Sequence, residues 1–343
     1  MSIRFERNIS FPGKIILLDG ISGTGKTLIH RILDSYICNH PPKFSYAIEQ
    51  ICASYYCNKL EKDAAISLLK LQSDQIKYDM HIGREINLRI NDLSSILKSV
   101  KKFSYLKKLI SEDGEFSVTG LENQSKNIVL ITHQLLSATQ LFEESFSGDF
   151  INLHAVRHPA YLFNHWITYV SLLGKSVRDL TVWKSEDGET LPWFFTNSEV
   201  YKNYKSLEDG DKTLVCLIEL ADSAVQHHIS SQNKSNYLSI EFEKFVLNPS
   251  QTINEIDNII GSNKKTSISK ILKEEKIPRN HINSGKSLPI YKRYGLNSYK
   301  SNLNHRDDYL ATLDHIKSRT TKLYFDRFKN TIIKYENLFG LWF

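Results

Sequence analysis

Eight consecutive residues have the types and spacing to hold a phosphate group: Gly20-Ile21-Ser22-Gly23-Thr24-Gly25-Lys26-Thr27. In a Gly-x-x-x-x-Gly-Lys-Thr pattern the glycines let successive backbone N–H groups turn inward around phosphate oxygens, and the following helix presents its positive end. Lys26 adds a mobile charge and Thr27 a hydroxyl. Such a loop works only between a strand and a helix. Both flanks are legible: Lys14-Ile15-Ile16-Leu17-Leu18-Asp19 reads as a short buried parallel strand, and Leu28, Ile29, Ile32, Leu33 and Tyr36 recur at helical spacing.

Two more segments read as parallel strands, Asn127-Ile128-Val129-Leu130-Ile131-Thr132 and Phe150-Ile151-Asn152-Leu153-His154-Ala155-Val156, with a short helix between them. Kinases and ATPases usually carry an Asp at a neighbouring strand tip to hold magnesium. These two strands end instead in Thr132-His133 and Val156-Arg157, a base and a cation. An imidazole at a strand end can take a hydroxyl proton near neutral pH. The combination suits transfer of a group from a donor that carries an extra phosphate and needs no metal.

At this point the chain resembles the sulfotransferase family, which uses 3′-phosphoadenosine 5′-phosphosulfate (PAPS) on a P-loop-type fold. Four pieces carry the resemblance, in the family's order, across residues 20–261. Ser22-Gly23-Thr24 resembles the 5′-phosphosulfate loop, and Ile131-Thr132-His133 the strand-end Thr-His that supplies a catalytic base. Ala155-Val156-Arg157-His158-Pro159 resembles the strand-end Arg-x-Pro whose Arg, with a Ser eight residues on, grips the 3′-phosphate; here that later position is His165, which can still donate to phosphate. Ile240-Glu241-Phe242-Glu243-Lys244-Phe245-Val246-Leu247-Asn248-Pro249 resembles the segment ending a strand beside the adenine, with Phe242 where many members have Tyr. The chain departs from the family at Ile21, where a Lys or Arg is usual, and Lys26 is placed to take over.

The resemblance implies a PAPS site made of Ser22, Gly23, Thr24, Gly25, Lys26, Thr27, Arg157, His165, Phe242 and, from a returning loop, Lys286. It implies His133 as general base and Lys26 as the group meeting charge on the oxygen between sulfur and nucleotide. No metal ligand is called. The acceptor expected from the resemblance is a small-molecule or saccharide hydroxyl. Two other readings stay open: an ATP- and magnesium-dependent small-molecule or nucleotide kinase, favoured by the complete Gly-x-x-x-x-Gly-Lys-Thr, and a nucleotide-binding protein without turnover, favoured by Ile21 and His165.

The elements expected to position these residues form an α/β fold, a doubly wound parallel sheet with a P-loop, a helical insert over residues 44–121 and a C-terminal helical region over residues 300–343, all in one domain spanning residues 1–343. Pro159 opens a helix. Residues 185–192 read as an exposed loop, followed by a helical region to about residue 230. A strand is expected over residues 237–242, a helix over 249–260, a Lys- and Ser-rich loop over 277–299, and one long helix over 307–335. The aromatic run Trp183, Trp193, Phe194, Phe195 reads as core, His154 as a buried strand residue, and His227-His228 as helix surface. The pairs Lys101-Lys102, Lys107-Lys108 and Lys264-Lys265 read as solvated surface.

The chain has 343 residues, 41% hydrophobic and 24% charged, which excludes disordered and fibrous classes. A net charge of +6 with dispersed basic residues suits an anionic ligand and falls short of a nucleic-acid footprint. The start lacks a signal-peptide pattern and no segment is long enough to span a bilayer, so the expected location is the cytoplasm. The four cysteines lack metal spacing and are expected to be reduced. Oligomeric state is not legible.

Overall fold

A computed structural model describes residues 3–7, 11–92, 94–111, 126–175, 179–186, 188–196, 203–284 and 303–343. Five parallel strands form the central sheet: β1 (Ile15–Asp19), β2 (Lys43–Phe44), β3 (Ile128–Ile131), β4 (Phe150–Val156) and a later one, Tyr237–Glu241, in the order β2-β3-β1-β4 and then that strand. The sheet is parallel because its strands are joined through helices. Alternation along each strand then sends neighbouring side chains to opposite faces. Ile15 and Leu17 of β1, with Ile128 and Leu130 of β3, enter one core; Ile16 and Leu18, with Val129 and Ile131, enter the other.

Helix α1 (Lys26–Ser35) covers the second face with Leu28, Ile29, Ile32 and Leu33. The first face is covered by α2 (Tyr46–Tyr56) and α3 (Lys62–Ile82), which together with a short α4 (Lys102–Lys108) make up the described part of the expected insert. The insert opens with β2, a two-residue edge strand paired Lys43↔Leu130 and Phe44↔Ile131, too short for any period-two signal. Between β3 and β4 lie a 3₁₀ turn (Leu136–Thr139) and α5 (Gln140–Ser145), the short helix expected there. Pro159 opens a 3₁₀ turn that runs into α6 (Phe163–Val170).

Three expectations are corrected. The stretch read as a loop over residues 185–192 belongs to an antiparallel hairpin, β5 (Trp183–Glu186) and β6 (Glu189–Pro192), whose Gly188 at φ 80 supplies the turn. Helix α7 (Asp209–Ser231) follows, and the fifth sheet strand is β7 (Tyr237–Glu241); Phe242 is already the first residue of α8 (Phe242–Leu247) rather than the last of a strand. Helix α9 (Pro249–Ile260) has the expected bounds, and a short α10 (Ile268–Glu274) comes after it. The single long C-terminal helix is two, α11 (His305–Ser318) and α12 (Lys322–Phe339), with Thr321 accepting an extended cap conformation between them and donating its N–H to Asp211 at 2.8 Å.

Buried polar groups explain the other differences. His227 is buried, not on a helix surface, because Asn152 Nδ2 of β4 donates to its Nε2 at 3.1 Å, while His154 is buried as expected and its Nδ1 lies 3.0 Å from the Tyr237 hydroxyl. Lys101 and Lys108 are not solvated: their ammonium groups cap helix ends, on the Asp34 carbonyl at 2.6 Å and on the Met80 and His81 carbonyls at 3.0 and 2.6 Å. Lys265 pairs with Asp257 at 2.5 Å. Trp193, Phe194 and Phe195 are core, with Trp183 half-buried against it. All four cysteines are free thiols. No helix among the described residues is long and apolar enough to cross a membrane.

Candidate functional site

The strand order reverses direction about β1: the chain moves from β1 to β2 and β3 on one side and to β4 and β7 on the other. Ligands of open parallel sheets bind at that switch point, beyond the carboxyl ends of the strands. Four strand tips meet there. β1 leads into the phosphate loop, β3 into His133, β4 into Arg157 and β7 into Phe242.

The loop is fixed from outside by two neighbouring residues of α6. Trp166 Nε1 donates to the Ser22 carbonyl at 2.9 Å, and His165 Nε2 lies 3.0 Å from the Ser22 hydroxyl. Burial, then the nearby Arg157 and Lys26, push the His165 imidazole down to about 4, so it is neutral at ordinary pH. Gly25 holds φ 87, and a Cβ there would run into the ring of Phe242, which is why a glycine and an aromatic face each other at this place. Ile21 is buried in the first core, so the position before Ser22 faces inward and has no reach to a ligand.

Lys26 is buried, and its Nζ donates to the carbonyls of Gly20 at 2.5 Å and Ile21 at 3.0 Å. Burial pushes it down to about 8, opposed by Asp19 and Glu49. The carboxylate of Asp19 accepts from the Thr132 hydroxyl at 2.8 Å and from the backbone N–H of Leu135 at 3.1 Å and of Leu136 at 2.8 Å. It thereby ties the turn after β3 to the start of the phosphate loop. In that turn Gln134 and Leu136 sit at φ 48 and 45, a conformation that side chains adopt only when held.

His133 is anchored by Glu49 of α2, whose Oε1 accepts from the His133 backbone N–H at 2.8 Å and lies 2.9 Å from its Nδ1. Phe44 and Tyr46 stack on the imidazole, with centroids 5.5 and 6.1 Å away and planes tilted by 17° and 11°.

On the other side of the loop, Arg157 donates through Nη1 to the Gly23 carbonyl at 3.1 Å and through Nη2 to Asn283 Oδ1 at 3.4 Å. Its guanidinium lies over Phe242 at 4.4 Å from the ring centroid, and Arg279 lies over the same ring at 5.7 Å. The Nε atoms of both arginines are buried with no hydrogen-bond partner among the described residues. Burial and then Arg157 lower Arg279 to about 10. Two like charges share one aromatic platform, and each Nε donor is unmatched among the described residues.

The structure therefore brings together Ser22, Gly23, Thr24, Gly25, Lys26, Thr27, His133, Arg157, His165 and Phe242 beyond the carboxyl ends of the sheet strands. Lys286 lies outside the described residues. Sequence reading missed Glu49, one polar position inside a helical insert, and Arg279, a lone Arg after Pro278 in a polar stretch; neither has a local signal, since each is brought to the site by a turn of the chain far from any motif. Among the described residues no group of three or more His, Cys, Asp or Glu has the arrangement to hold a metal ion.

The class so defined is an α/β protein with a parallel five-stranded sheet and a glycine-rich strand-to-helix loop at its switch point. No family model and no curated protein matches the chain. Solved structures similar to it include the sulfotransferase domain from the curacin biosynthetic pathway (10% identity, 95% of this chain and 99% of that one, TM-score 0.45). Others are the sulfotransferase domain from the Synechococcus PCC 7002 olefin synthase (12% identity, 96% and 98%, TM-score 0.43) and sulfotransferase STF9 from Mycobacterium avium (11% identity, 98% and 78%, TM-score 0.40).

Proposed function

We propose that the protein is a sulfotransferase that moves a sulfuryl group from PAPS to the hydroxyl of a small-molecule or saccharide acceptor. The observation that supports this is the pair Arg157 and Arg279 on Phe242, with two buried Nε donors that have no partner among the described residues, beside the glycine-rich loop. A loop for one phosphate end and a separate double-arginine site fit a nucleotide charged at two places. A nucleoside triphosphate has its charge in one chain and leaves the second site without a purpose.

In this reading the 5′ side of the donor lies along Ser22 to Thr27 and the 3′-phosphate between Arg157 and Arg279, with Phe242 close to the nucleoside. Lys26 exchanges the Gly20 and Ile21 carbonyls for the bridging oxygen and meets the charge that develops there as the bond to sulfur breaks. His133 takes the proton from the acceptor hydroxyl as the new oxygen–sulfur bond forms. Asp19 is unsuited to holding magnesium because its carboxylate already accepts three hydrogen bonds that fix the turn after β3. The protein is read as cytoplasmic and as acting without a metal.

Transfer of label from ³⁵S-PAPS into a pool of hydroxylated compounds, with and without EDTA, tests the proposal. Labelled products in both conditions are expected. Transfer of the γ-phosphate of ATP in its place, abolished by EDTA, would make the protein a kinase and overturn the reading.

A further inference from the structure

The reading of His133 as proton acceptor leaves open what holds that ring, and the corner between β2 and α2 supplies the parts. One carboxylate oxygen, Glu49 Oε1, meets both the backbone N–H and the ring Nδ1 of the same residue, at 2.8 and 2.9 Å. Two contacts to one residue fix its side-chain torsions as well as its place on the chain. An ionised carboxylate can only accept, so the ring proton sits on Nδ1, and Nε2 is left as the acceptor nitrogen. Phe44 and Tyr46 stack on the ring and oppose its tilting. All three residues fall within one short stretch, and β2 pins that stretch to the strand that ends at His133.

Glu49 is half-buried, at 16% side-chain exposure, so its charge is only partly screened. The charged and titratable groups around it come from several elements. Lys26 of α1, Asp19 of β1, Cys52 of its own helix, and His165 and Tyr169 of α6 all lie within electrostatic reach of Glu49, Lys26 or His133. Lys26 is the cation among them, and Glu49 acts on it as well as on His133.

Resting on the sulfotransferase reading, we infer that Glu49 is the positioning residue of the transfer: it holds His133 with Nδ1 protonated and Nε2 toward the acceptor, and it balances the imidazolium formed in the step. The proton leaves the acceptor oxygen for Nε2 as that oxygen bonds to sulfur. The sulfur's bond to the bridging oxygen breaks, and adenosine 3′,5′-bisphosphate departs with the electron pair. Glu49 touches neither substrate and acts through the ring.

Two variants test this, Glu49→Gln and Glu49→Asp, with His133→Ala as the reference. Gln keeps the shape and can still accept from the ring but carries no charge. In wild type loaded with adenosine 3′,5′-bisphosphate, ¹⁵N-histidine spectra are expected to show His133 as the Nδ1–H tautomer, and in Glu49→Gln, whose amide can donate to Nδ1 as well as accept from it, the Nε2–H tautomer is expected to gain population. In PAPS turnover, kcat should fall about 10- to 100-fold with KM for PAPS within about threefold. Asp should restore part of kcat. Identical ring tautomer populations in wild type and Glu49→Gln would overturn the inference. So would loss of turnover in Glu49→Gln as complete as in His133→Ala with an unchanged ring spectrum, which would make Glu49 the base. Failure of wild type to use PAPS would count against the proposed function alone, since the ring spectra decide the role of Glu49 without turnover.

Discussion

At the scale of one side chain, the proposed phosphate site turns on Lys26. Its ammonium is buried at the start of α1 and rests on two carbonyls of its own loop, with Asp19 and Glu49 only partly offsetting the burial that lowers it to about 8. A bound phosphate supplies the opposite charge that favours the protonated form, so binding above pH 8 must take up a proton. Affinity for adenosine 3′,5′-bisphosphate is therefore expected to be flat below about pH 7.5 and to weaken above pH 8, with proton uptake visible as a dependence of the calorimetric heat on the buffer's ionisation enthalpy. Lys26→Met should bind about 10-fold or more weakly and lose the pH dependence. An unchanged high-pH limb in Lys26→Met would assign the titration to another group.

At the scale of elements, the site depends on how the turn after β3 is held. Thr132, Leu135 and Leu136 all donate to Asp19, and this is what keeps Gln134 and Leu136 in their left-handed backbone. Asp19→Ala would leave three buried donors unmatched, each costing about 1–3 kcal/mol, and would release the segment carrying His133. Chemical denaturation should show a loss of at least about 3 kcal/mol, with turnover falling more than nucleotide affinity. Asp19→Asn, which retains an acceptor, should be milder. The phosphate loop and the tips of β3, β4 and β7 were legible because strand, glycine and strand-end residues lie close together in sequence. Glu49 and Arg279 were not, because a helical position and a lone arginine acquire meaning only when β2 registers on β3 and when α8 and α9 turn the chain back toward Phe242. The hairpin of β5 and β6 was hidden for a different reason: its Ser, Glu, Asp and Gly residues have loop composition, and pairing, not burial, makes it a hairpin.

At the scale of the whole molecule, α7 and α12 close the core on the first face of the sheet and α1, α8 and α9 the core on the second, and burial holds several histidines in the neutral state. Burial lowers His40 to about 3 and both His165 and His227 to about 4, and His227 must stay neutral to accept from Asn152. The unfolded chain binds protons at these rings below about pH 6.5 while the folded chain does not until about pH 4. In that window the unfolded state holds more protons, so stability rises with pH. The melting temperature is expected to fall steadily from pH 6.5 toward pH 4.5 in differential scanning calorimetry, and the slope should be shallower in a His165→Gln variant. A melting temperature constant across that range would contradict the burial assigned to these rings.

The central claim is that the two arginines on Phe242 form the second anion site of a doubly charged nucleotide. Isothermal titration calorimetry of adenosine 3′,5′-bisphosphate and of ATP, each with and without magnesium, on wild type, Arg157→Ala and Arg279→Ala measures it directly. The account predicts metal-independent preference for the bisphosphate and a loss of about 10- to 100-fold in affinity for it in either variant, with little change in the weak binding of ATP. Magnesium-dependent preference for ATP, indifferent to both substitutions, would contradict it.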